Sequence, residues 1–339
     1  MQGIRAGRVL VTGGAGFIGS ALVWALNRRG VEDVLVADFL GDSEKWRNLT
    51  PLSYSDYLEA DDLLALVEAD SGRLRGISTV LHMGACSSTT ERDASYLVRN
   101  NFEYTKKLAT WALARGIRFV YASSAATYGD GARGMSDEAD LQTLRPLNMY
   151  GYSKQMFDAW ARTHGLLERL VGVKYFNVFG PNEDHKGDMR SLVQKAYHQV
   201  LETGAIRLFK SHRPEFQDGE QRRDFVYVKD AVAMTLHLAE NPQAGGLYNV
   251  GTGQAATWNE LARAVFAALE RPVRIEYVDM PEALRGKYQY FTQATVARLA
   301  SAGWTRPATP LVAAVKDYVR NYLVPDARLG DGADEGSAA

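Results

Sequence analysis

A glycine-rich turn near the start of the chain limits the possible folds more than any other stretch. The segment GGAGFIG at 13–19 follows the apolar run 8–12 and precedes the helical run 20–29. Glycines at this spacing permit a tight turn, close approach of the backbone to a pyrophosphate and close packing of helix on strand. The helix N-terminus then faces the phosphates. The pattern predicts a dinucleotide-binding turn built on Gly13, Gly16 and Gly19.

An acidic residue at the end of the second predicted strand, 34–38, supports this interpretation. Asp38 lies nineteen residues beyond Gly19, where an acidic side chain hydrogen-bonds the ribose hydroxyls of NAD. Lys45 and Arg47 follow soon afterwards. They can instead meet the 2′-phosphate of NADP, or lie in solvent as ordinary surface charges. These residues leave the choice between NAD and NADP open.

The alternation of strand and helix patterns indicates the fold class. Apolar runs at 79–82 and 119–122 are typical of buried strands, and helical periodicity covers 58–67 and 100–115. Such alternation predicts an α/β fold with a doubly wound parallel Rossmann sheet.

Beyond the first half of the chain the alternation becomes irregular. A strand is predicted at 170–179, and the runs at 222–228 and 247–253 are expected to return to the main sheet. Between these runs, the strand and helix patterns no longer alternate regularly. We therefore predict a smaller C-terminal substrate domain that is interleaved with the dinucleotide-binding domain.

The predicted domain boundaries follow from these returns. The dinucleotide-binding Rossmann domain is expected to contain 1–174 and 224–250, and the substrate domain 175–223 and 251–323. The tail 324–339 is rich in Gly, Asp and Ala and is predicted to be disordered.

Composition argues against several classes of protein. The net charge of −1 and the lack of a Lys/Arg block disfavour a nucleic-acid partner. No apolar run approaches the ~18 residues of a membrane span, and no apolar signal segment precedes the first strand. The single cysteine, Cys86, fits a reducing compartment and is interpreted as a packed small residue rather than a nucleophile. We expect a cytoplasmic enzyme with no metal site and no membrane partner.

A tyrosine and a lysine four residues apart form the candidate catalytic pair. Tyr150 and Lys154 follow the strand end at Ser124 across a polar loop, and on a helix this spacing places both on one face. A free tyrosine is only ~0.1% ionised at neutral pH, and a neighbouring cation favours the phenolate. We predict a general base for a hydroxyl whose oxygen Ser124 also holds. The chain has 17 tyrosines, so the alternative is a chance spacing.

The serine, the Tyr–Lys pair and the glycine turn together resemble the extended short-chain dehydrogenase/reductases. Further segments resemble one family among them, the ADP-L-glycero-D-manno-heptose 6-epimerases: HMGACSSTT at 82–90, YASSAATYG at 121–129, NMYGYSK at 148–154, YFNVFGP with HKG within 175–187, RRDFVYV at 222–228 and KYQYFTQA at 287–294. The resemblance covers about residues 8–323. It implies a homo-oligomer, often a pentamer, that epimerises ADP-heptose at C6″ for the lipopolysaccharide inner core.

The resemblance also implies roles for individual residues. The proton-transfer groups are Tyr150 and Lys186, supported by Lys154 and Ser124. NADP, with NAD as the alternative, is expected to contact the glycine turn together with Phe17, Ile18, Asp38, Phe39, Lys45, Met83, Gly84, Ala85, Cys86, Ser87, Asn100, Lys154, Val178 and Lys186. The ADP-sugar is expected to contact Asn177, Asp188, Lys195, Phe209, Arg223 and Tyr288.

Lys186 is expected to act as a second acid/base, distinct from Lys154. The nicotinamide offers hydride from one face only, so inversion requires the oxidised sugar to turn within the site. Its C6″ oxygen then needs a proton donor on the opposite side. The alternative is that Lys186 only pairs with the ADP phosphates or lies in solvent beside His185.

Some positions depart from the family pattern, and other functions remain alternatives. Ala60 replaces a lysine common after the DYL segment, Asp188 and Lys195 replace serine and histidine, and the 210–222 loop is longer than in some members. One alternative is a 4-epimerase or 4,6-dehydratase of the same fold, although 124–127 lacks the acidic pair of a dehydratase. The other is a non-catalytic dinucleotide-sensing protein, which has no use for the Tyr–Lys pair.

Overall fold

A computed structural model of the chain describes residues 4, 7–286 and 288–332. Within this part of the chain, one parallel sheet contains seven strands: β1 (Arg8–Thr12), β2 (Val34–Asp38), β3 (Asp56–Glu59), β4 (Ile77–His82), β5 (Arg118–Ser124), β6 (Val171–Tyr175) and β10 (Gly246–Val250). They lie in the order β10-β6-β5-β4-β1-β2-β3. The predicted α/β class with a doubly wound parallel sheet is confirmed.

The helices cover both faces of this sheet and extend into the second half of the chain. They are α1 (Phe17–Asn27), α2 (Ala60–Glu68), α3 (Ala94–Leu97), α4 (Tyr104–Ala114), α5 (Met149–Thr163), α6 (Leu192–Thr203), α7 (Val228–Glu240), α8 (Trp258–Leu269), α9 (Glu282–Arg285), α10 (Ala297–Ser301) and α11 (Leu311–Tyr318). A π-helical turn, Val98–Glu103, joins α3 to α4, and another, Val319–Leu323, follows α11. Among the described residues, none of these helices has both the length and the apolar character to cross a bilayer.

Alternate residues of each central strand face opposite hydrophobic cores, as the two-residue period of a strand requires. In β1, Val9 and Val11 pack in the core that includes α1 and α7. Leu10 points to the other face, into the core that includes α2, α4 and α5. Since both faces are buried, the strands are apolar runs rather than alternating ones.

The predicted helix 58–67 starts too early. Residues Asp56–Glu59 form the edge strand β3, paired in parallel with β2, and the helix begins only at Ala60. Leu58 and Leu63 are both buried, one from the strand and the other from the helix. The spacing of apolar residues therefore cannot separate a strand end from the first turn of the next helix.

The predicted strand 170–179 is two strands. The Phe176 amide donates to the Val250 carbonyl at 3.1 Å, and beyond it β7 (Asn177–Phe179) leaves the main sheet. β7 pairs instead with β9 (Arg222–Tyr227). The prediction that 222–228 returns to the main sheet is therefore wrong, because β10 already occupies the edge beside β6. The return predicted for 247–253 is confirmed by β10.

Apart from β10, the strands that follow β6 in the chain form two small sheets. β11 (Ala255–Thr257) pairs antiparallel with β9, and β8 (Ile206–Phe209) pairs in parallel with β12 (Ile275–Val278). Asp224 of β9 is fully buried. Its carboxylate accepts hydrogen bonds from the amides of Thr252 at 2.8 Å, and of Gly253 and Ala294 at 2.9 Å. A single carboxylate thus ties β9 to the segments after β10 and before α10.

The tail differs in part from the prediction. Within 324–332 the centre is packed, with Leu329 fully buried and Arg328 only 6% exposed, whereas 324–326 and 330–332 are exposed. Burial of a leucine contributes about 1.5–3 kcal/mol, and the hydrogen bond from the Leu329 amide to Asn182 and the ion pair of Arg328 with Asp184 add to it. The rest of the predicted disordered tail, 333–339, lies outside the described residues.

Candidate active site

A cleft of about 600 Å³ opens at the carboxyl ends of the parallel strands, the edge where open α/β sheets bind ligands. The predicted residues that line it are Gly13, Gly16, Phe17, Ile18, Gly19, Asp38, Lys45, Met83, Gly84, Ala85, Ser87, Ser124, Tyr150, Lys154, Asn177, Val178 and Lys186. The predicted residues outside its lining are Phe39, Cys86, Asn100, Asp188, Lys195, Phe209, Arg223 and Tyr288.

The glycine turn is held by steric and hydrogen-bond constraints that explain its composition. A Cβ atom on Gly19 would lie 1.9 Å from the Gly13 carbonyl oxygen, and Gly13 itself has φ +66°. A side chain at either position would force α1 away from β1. The amides of Ala15 and Gly16 donate to Asp38 Oδ2 at 2.9 and 3.1 Å. The turn is therefore fixed before any ligand binds.

The other oxygen of Asp38 is also occupied. Its Oδ1 atom accepts from the Phe39 amide at 2.8 Å and from Lys45 Nζ at 2.7 Å. The Asp38 and Lys45 side chains are 10% and 18% exposed, so solvent screens their attraction only in part. The acidic residue and the cation predicted to choose between NAD and NADP thus form one ion pair beside the glycine turn.

The loop after β4 is held by Asn101, on the π-helical turn. Asn101 Oδ1 accepts from the Cys86 amide and its Nδ2 donates to the Cys86 carbonyl, both at 2.9 Å. The same Nδ2 lies 3.0 Å from Ser153 Oγ on α5. The predicted Asn100 donates to the Asn101 side chain at 3.2 Å. The sequence predicted Asn100 for this wall of the cleft, whereas the side chain that holds the Cys86 backbone is that of the next residue, Asn101.

The strand end and α5 bring the three predicted catalytic side chains together. Asn148 caps α5 by accepting from the Gly151 amide at 2.8 Å, which places Tyr150 in the first turn and Lys154 one turn later. Ser124 accepts from the Ala126 amide at 3.1 Å. That contact leaves the Ser124 hydroxyl hydrogen free for its hydrogen bond to Tyr150.

Burial dominates the electrostatics of the pair. It raises the pKa of Tyr150 above its usual 10, and the hydrogen bond from Ser124 only partly opposes this. Burial also lowers the pKa of Lys154 to about 8, although Asp158 and Cys86 favour its charged form. The expectation that the Lys154 cation favours the phenolate of Tyr150 stays a prediction.

Behind the pair lies a buried cluster of charged and polar side chains, the Asp158 cluster (Tyr121, Ser123, Thr127, Asp158 and Lys174). The Asp158 carboxylate accepts from the Tyr121 hydroxyl at 2.8 Å, from Ser123 Oγ at 2.7 Å and from Lys174 Nζ at 3.0 Å. Lys174 Nζ also donates to Thr127 Oγ1 at 2.7 Å. Asp158 and Lys174 are 0% and 1% exposed. The cluster joins β5, β6 and α5, the elements beneath the catalytic residues.

Lys186 lies on a 3₁₀ turn at the opposite wall of the cleft. Its Nζ lies 4.9 Å from the centroid of the Phe17 ring, a cation–π contact beside the glycine turn. Burial lowers the pKa of Lys186, with the carboxylate of Glu183 opposing the shift and Lys195 adding to it. Burial likewise lowers the pKa of His185 to about 4. Lys186 is thus a partly desolvated amine next to a neutral imidazole.

Of the residues predicted to hold the ADP-sugar, Asn177 lines the cleft and the others lie outside its lining. Arg223 lies between two rings, 5.0 Å from the centroid of Tyr288 and 5.6 Å from that of Trp258. The Tyr288 hydroxyl accepts from Trp258 Nε1 at 2.8 Å, and Trp258 lines the cleft. Lys195 Nζ donates to the Asp188 carbonyl at 2.6 Å. Phe209 is the last residue of β8.

Several lining residues were missed by the sequence reasoning. They include Ser43, Tyr175, His185, Arg190 and Trp258. Arg190 brings a further cation to the wall that carries Lys186, and its side chain reaches Gln194 at 3.4 Å. The only sequence signal for it was its position just after the HKG segment. Ser123, the neighbour of Ser124, also lines the cleft, and its hydroxyl donates to Asp158 Oδ2 at 2.7 Å.

Comparison with known proteins identifies the family. The family model described as "NAD dependent epimerase/dehydratase family" matches residues 9–251. An ADP-L-glycero-D-manno-heptose-6-epimerase of Nitratidesulfovibrio vulgaris (strain DP4) is 53% identical over 320 residues, covering 93% of this chain and 97% of that protein. The chain belongs to the NAD-dependent epimerase/dehydratase family. A protein of the same name from Fusobacterium nucleatum is 44% identical over 328 residues, covering 94% and 98% of the two chains.

Solved structures of this epimerase/dehydratase family share the fold. The ADP-L-glycero-D-manno-heptose-6-epimerase of Helicobacter pylori aligns with a TM-score of 0.78 and 27% identity, over 93% of this chain and 96% of that one. A UDP-glucose 4-epimerase of Thermus thermophilus, in complex with NAD, aligns with a TM-score of 0.73 and 28% identity, over 92% and 97%.

Among the described residues of this chain, no group of three His, Cys, Asp or Glu side chains is placed to hold a metal ion.

The Asp158 cluster yields a stability prediction. We expect Asp158→Asn to lower the free energy of unfolding by about 3–5 kcal/mol, because Lys174 is left buried without a counter-charge. The double variant Asp158→Asn/Lys174→Met should regain most of that loss. Urea unfolding measures both. Losses that simply add in the double variant would show that the two charges do not interact.

Proposed function

We propose that this chain interconverts ADP-D-glycero-D-manno-heptose and ADP-L-glycero-D-manno-heptose by oxidation and re-reduction at C6″, as a step in lipopolysaccharide inner-core biosynthesis. The observation that carries the proposal is a single cleft lined by both Tyr150 and Lys186, two side chains that can each exchange a proton. An enzyme that inverts a carbon by redox chemistry needs such a pair. The names of the close relatives, over nearly the whole chain, support the same substrate.

The glycine turn and Asp38 are proposed to hold the dinucleotide. The turn fits a pyrophosphate, since Phe17 and Ile18 at the N-terminus of α1 line the cleft, a helix N-terminus attracts phosphates, and a side chain at Gly19 would clash with the Gly13 carbonyl. Asp38 and Lys45 lie at the end of β2, where the adenosine ribose binds in such folds. When bound, a nicotinamide dinucleotide supplies the redox chemistry by accepting a hydride from C6″ and returning it.

Ser124, Tyr150 and Lys154 are proposed to act on the C6″ hydroxyl in one half of the reaction. Ser124 and Tyr150 hold its oxygen between them, and Tyr150 takes its proton as the carbon becomes a ketone. Because the pKa of Tyr150 is raised, Tyr150 releases its own proton as it takes the one from the C6″ hydroxyl. Lys154, with a pKa of about 8, is present in part as the neutral amine near neutral pH, and in that form it accepts the proton from Tyr150.

Lys186 is proposed to act in the other half. After the ketone turns within the cleft, its oxygen faces away from Tyr150, and Lys186 exchanges the proton there. A lowered pKa suits an amine to both accept and donate a proton near neutrality. Arg223, Asn177 and Lys195 are proposed to hold the ADP-sugar. By the same resemblance we propose a cytoplasmic homo-oligomer.

The proposed function is tested by incubating the protein with ADP-D-glycero-D-manno-heptose in deuterated water and reading the C6″ configuration by NMR. We expect inversion with no deuterium at C6″, because the same hydrogen returns to the same carbon. Tyr150→Phe should reduce turnover by about 10²–10⁴-fold while cofactor binding is kept. Deuterium at C6″, absence of inversion, or near-normal turnover of the variant would each contradict the scheme.

The role of Lys186 is tested by Lys186→Met, which keeps the stem and removes the exchangeable proton. We expect kcat for epimerisation to fall at least ~10²-fold with substrate and cofactor still bound. Steady-state kinetics and equilibrium binding separate the two effects. A variant with normal kcat and a raised KM would make Lys186 a phosphate-binding residue.

NADP is proposed as the preferred cofactor, with Lys45 reading its 2′-phosphate. Lys45→Ala should weaken NADP binding about 10- to 100-fold, the value of a charged hydrogen bond, and leave NAD binding almost unchanged. Titration calorimetry measures both. Arg47→Ala is the matched control, because Arg47 pairs with Asp326 at 3.3 Å. Equal losses for the two dinucleotides would remove Lys45 from this role.

A further inference from the structure

The packed C-terminal segment, which we call the strap (residues 324–332), lies against the turn that carries Lys186 (residues 182–189, the Lys186 turn). The strap is anchored by Leu329, which is fully buried. Its own fold is closed by the Arg328 amide, which donates to Asp331 Oδ2 at 2.6 Å. The strap is therefore ordered, both by burial of Leu329 and by its own hydrogen bond.

The first link between the strap and the Lys186 turn is a shielded ion pair. Arg328 lies 3.4 Å from Asp184 Oδ2 through its Nη2, and its side chain is only 8% exposed. Its Nη1 is held on the strap side by Asp326 Oδ1 at 3.0 Å. Since Asp326 fixes the guanidinium, little side-chain entropy remains to be lost in contacting Asp184. Asp184 lies two residues before Lys186.

The second link is Asn182, which joins the strap to the glycine turn. Asn182 is fully buried with φ +76°. Its Oδ1 accepts from the Leu329 amide at 3.1 Å, and its Nδ2 donates to Ser20 Oγ at 3.0 Å. Its carbonyl accepts from Asn48 Nδ2 at 3.1 Å, and that Nδ2 also donates to the Ala15 carbonyl at 2.9 Å. The strap, the Lys186 turn and the glycine turn are one hydrogen-bonded unit.

The Lys186 turn is held through three consecutive side chains, those of Asn182, Glu183 and Asp184, and the strap contacts the first and the third. Glu183 accepts from the Ser191 amide at 2.6 Å and from Ser191 Oγ at 2.5 Å, which closes the far end of the turn. Between these points Asp184 is held by Arg328 and by Gln194 Nε2 at 3.1 Å. Gly187, with φ +52° and nothing near its Cβ position, adds no restraint. Removing Arg328 would leave Gln194 as the only side chain holding the Asp184 carboxylate among the described residues.

We propose that Arg328 is a positioning residue for Lys186: the strap fixes the Lys186 turn so that the Lys186 amine stays over Phe17 at the wall of the cleft. The expected effect of Arg328 on catalysis rests on the proposed role of Lys186. The mechanical link, by which the strap holds the Lys186 turn in place, does not depend on that role. Arg328 touches no reacting atom. A misplacement of about 1 Å at a catalytic group is enough to cost ~10²-fold in rate.

The test compares Arg328→Met with Arg320→Met in the full chain. Arg320 is a matched control, since it lies in the same C-terminal region but binds the Ala268 carbonyl at 2.8 Å and Glu270 at 2.6 Å. We expect kcat for epimerisation to fall about 10- to 100-fold in Arg328→Met, with KM within about 3-fold of wild type. Arg328→Lys keeps a charge for Asp184 and should recover part of the loss.

Two readouts separate positioning from a general loss of stability. Adding Arg328→Met to Lys186→Met should cost no further rate, because the residue that the strap positions is already gone. Hydrogen exchange at the amides of 184–190 should quicken in Arg328→Met but not in Arg320→Met. Asp184→Asn, which removes the other partner of the pair, should reproduce both effects if Arg328→Met does not fold.

The outcomes decide the inference even if the proposed function fails. Unchanged exchange in the Lys186 turn would overturn the mechanical link, whether or not the protein epimerises ADP-heptose. Faster exchange with unchanged kcat, or rate losses that multiply with Lys186→Met, would overturn the positioning of Lys186. Faster exchange in a protein that shows no epimerisation would support the link and refute only the proposed reaction.

Discussion

The buried carboxylate of Asp158 organises the catalytic half of this protein. It is closed to solvent, and a buried charge of this kind is tolerated only when partners satisfy it. Lys174 supplies the counter-charge from β6, while Tyr121 and Ser123 donate from β5. Because Asp158 itself lies on α5, these contacts fix the helix of Tyr150 and Lys154 relative to the strand of Ser124. The same carboxylate favours the charged form of Lys154.

The opposite wall of the cleft is held by a second network, centred on Asn182. One amide side chain connects α1 through Ser20 to the strap through Leu329, and it leads directly into the turn of Lys186. The two walls therefore have separate supports, one built on Asp158 and Lys174 and the other on Asn182 together with the Arg328–Asp184 ion pair. The positions of Tyr150 and Lys186, the two groups proposed to exchange protons, are thus held by different networks.

Part of the site was open to sequence reasoning because its constraints are local. The spacing of Gly13, Gly16 and Gly19 is fixed by contacts within one turn, and the Tyr150–Lys154 spacing by one turn of helix. The family resemblance added Lys186 and Arg223. Other features depend on residues far apart in the chain. The departure of β9 from the main sheet, the role of Asn101 beside Asn100, and the placement of Arg190 and Trp258 could not be read from spacing.

The sequence by itself determined the α/β class, the glycine turn with Asp38, and the grouping of Ser124, Tyr150 and Lys154 at the end of β5 and the start of α5, since each follows from short-range periodicity and local sterics. Tertiary structure alone decided the burial of Tyr150 and the order of the strap, because both depend on segments far apart in the chain. Burial raises the pKa of Tyr150, and the hydrogen bond from Ser124 opposes the shift. Burial of Leu329 and of the Arg328–Asp184 pair orders a segment whose composition predicts disorder.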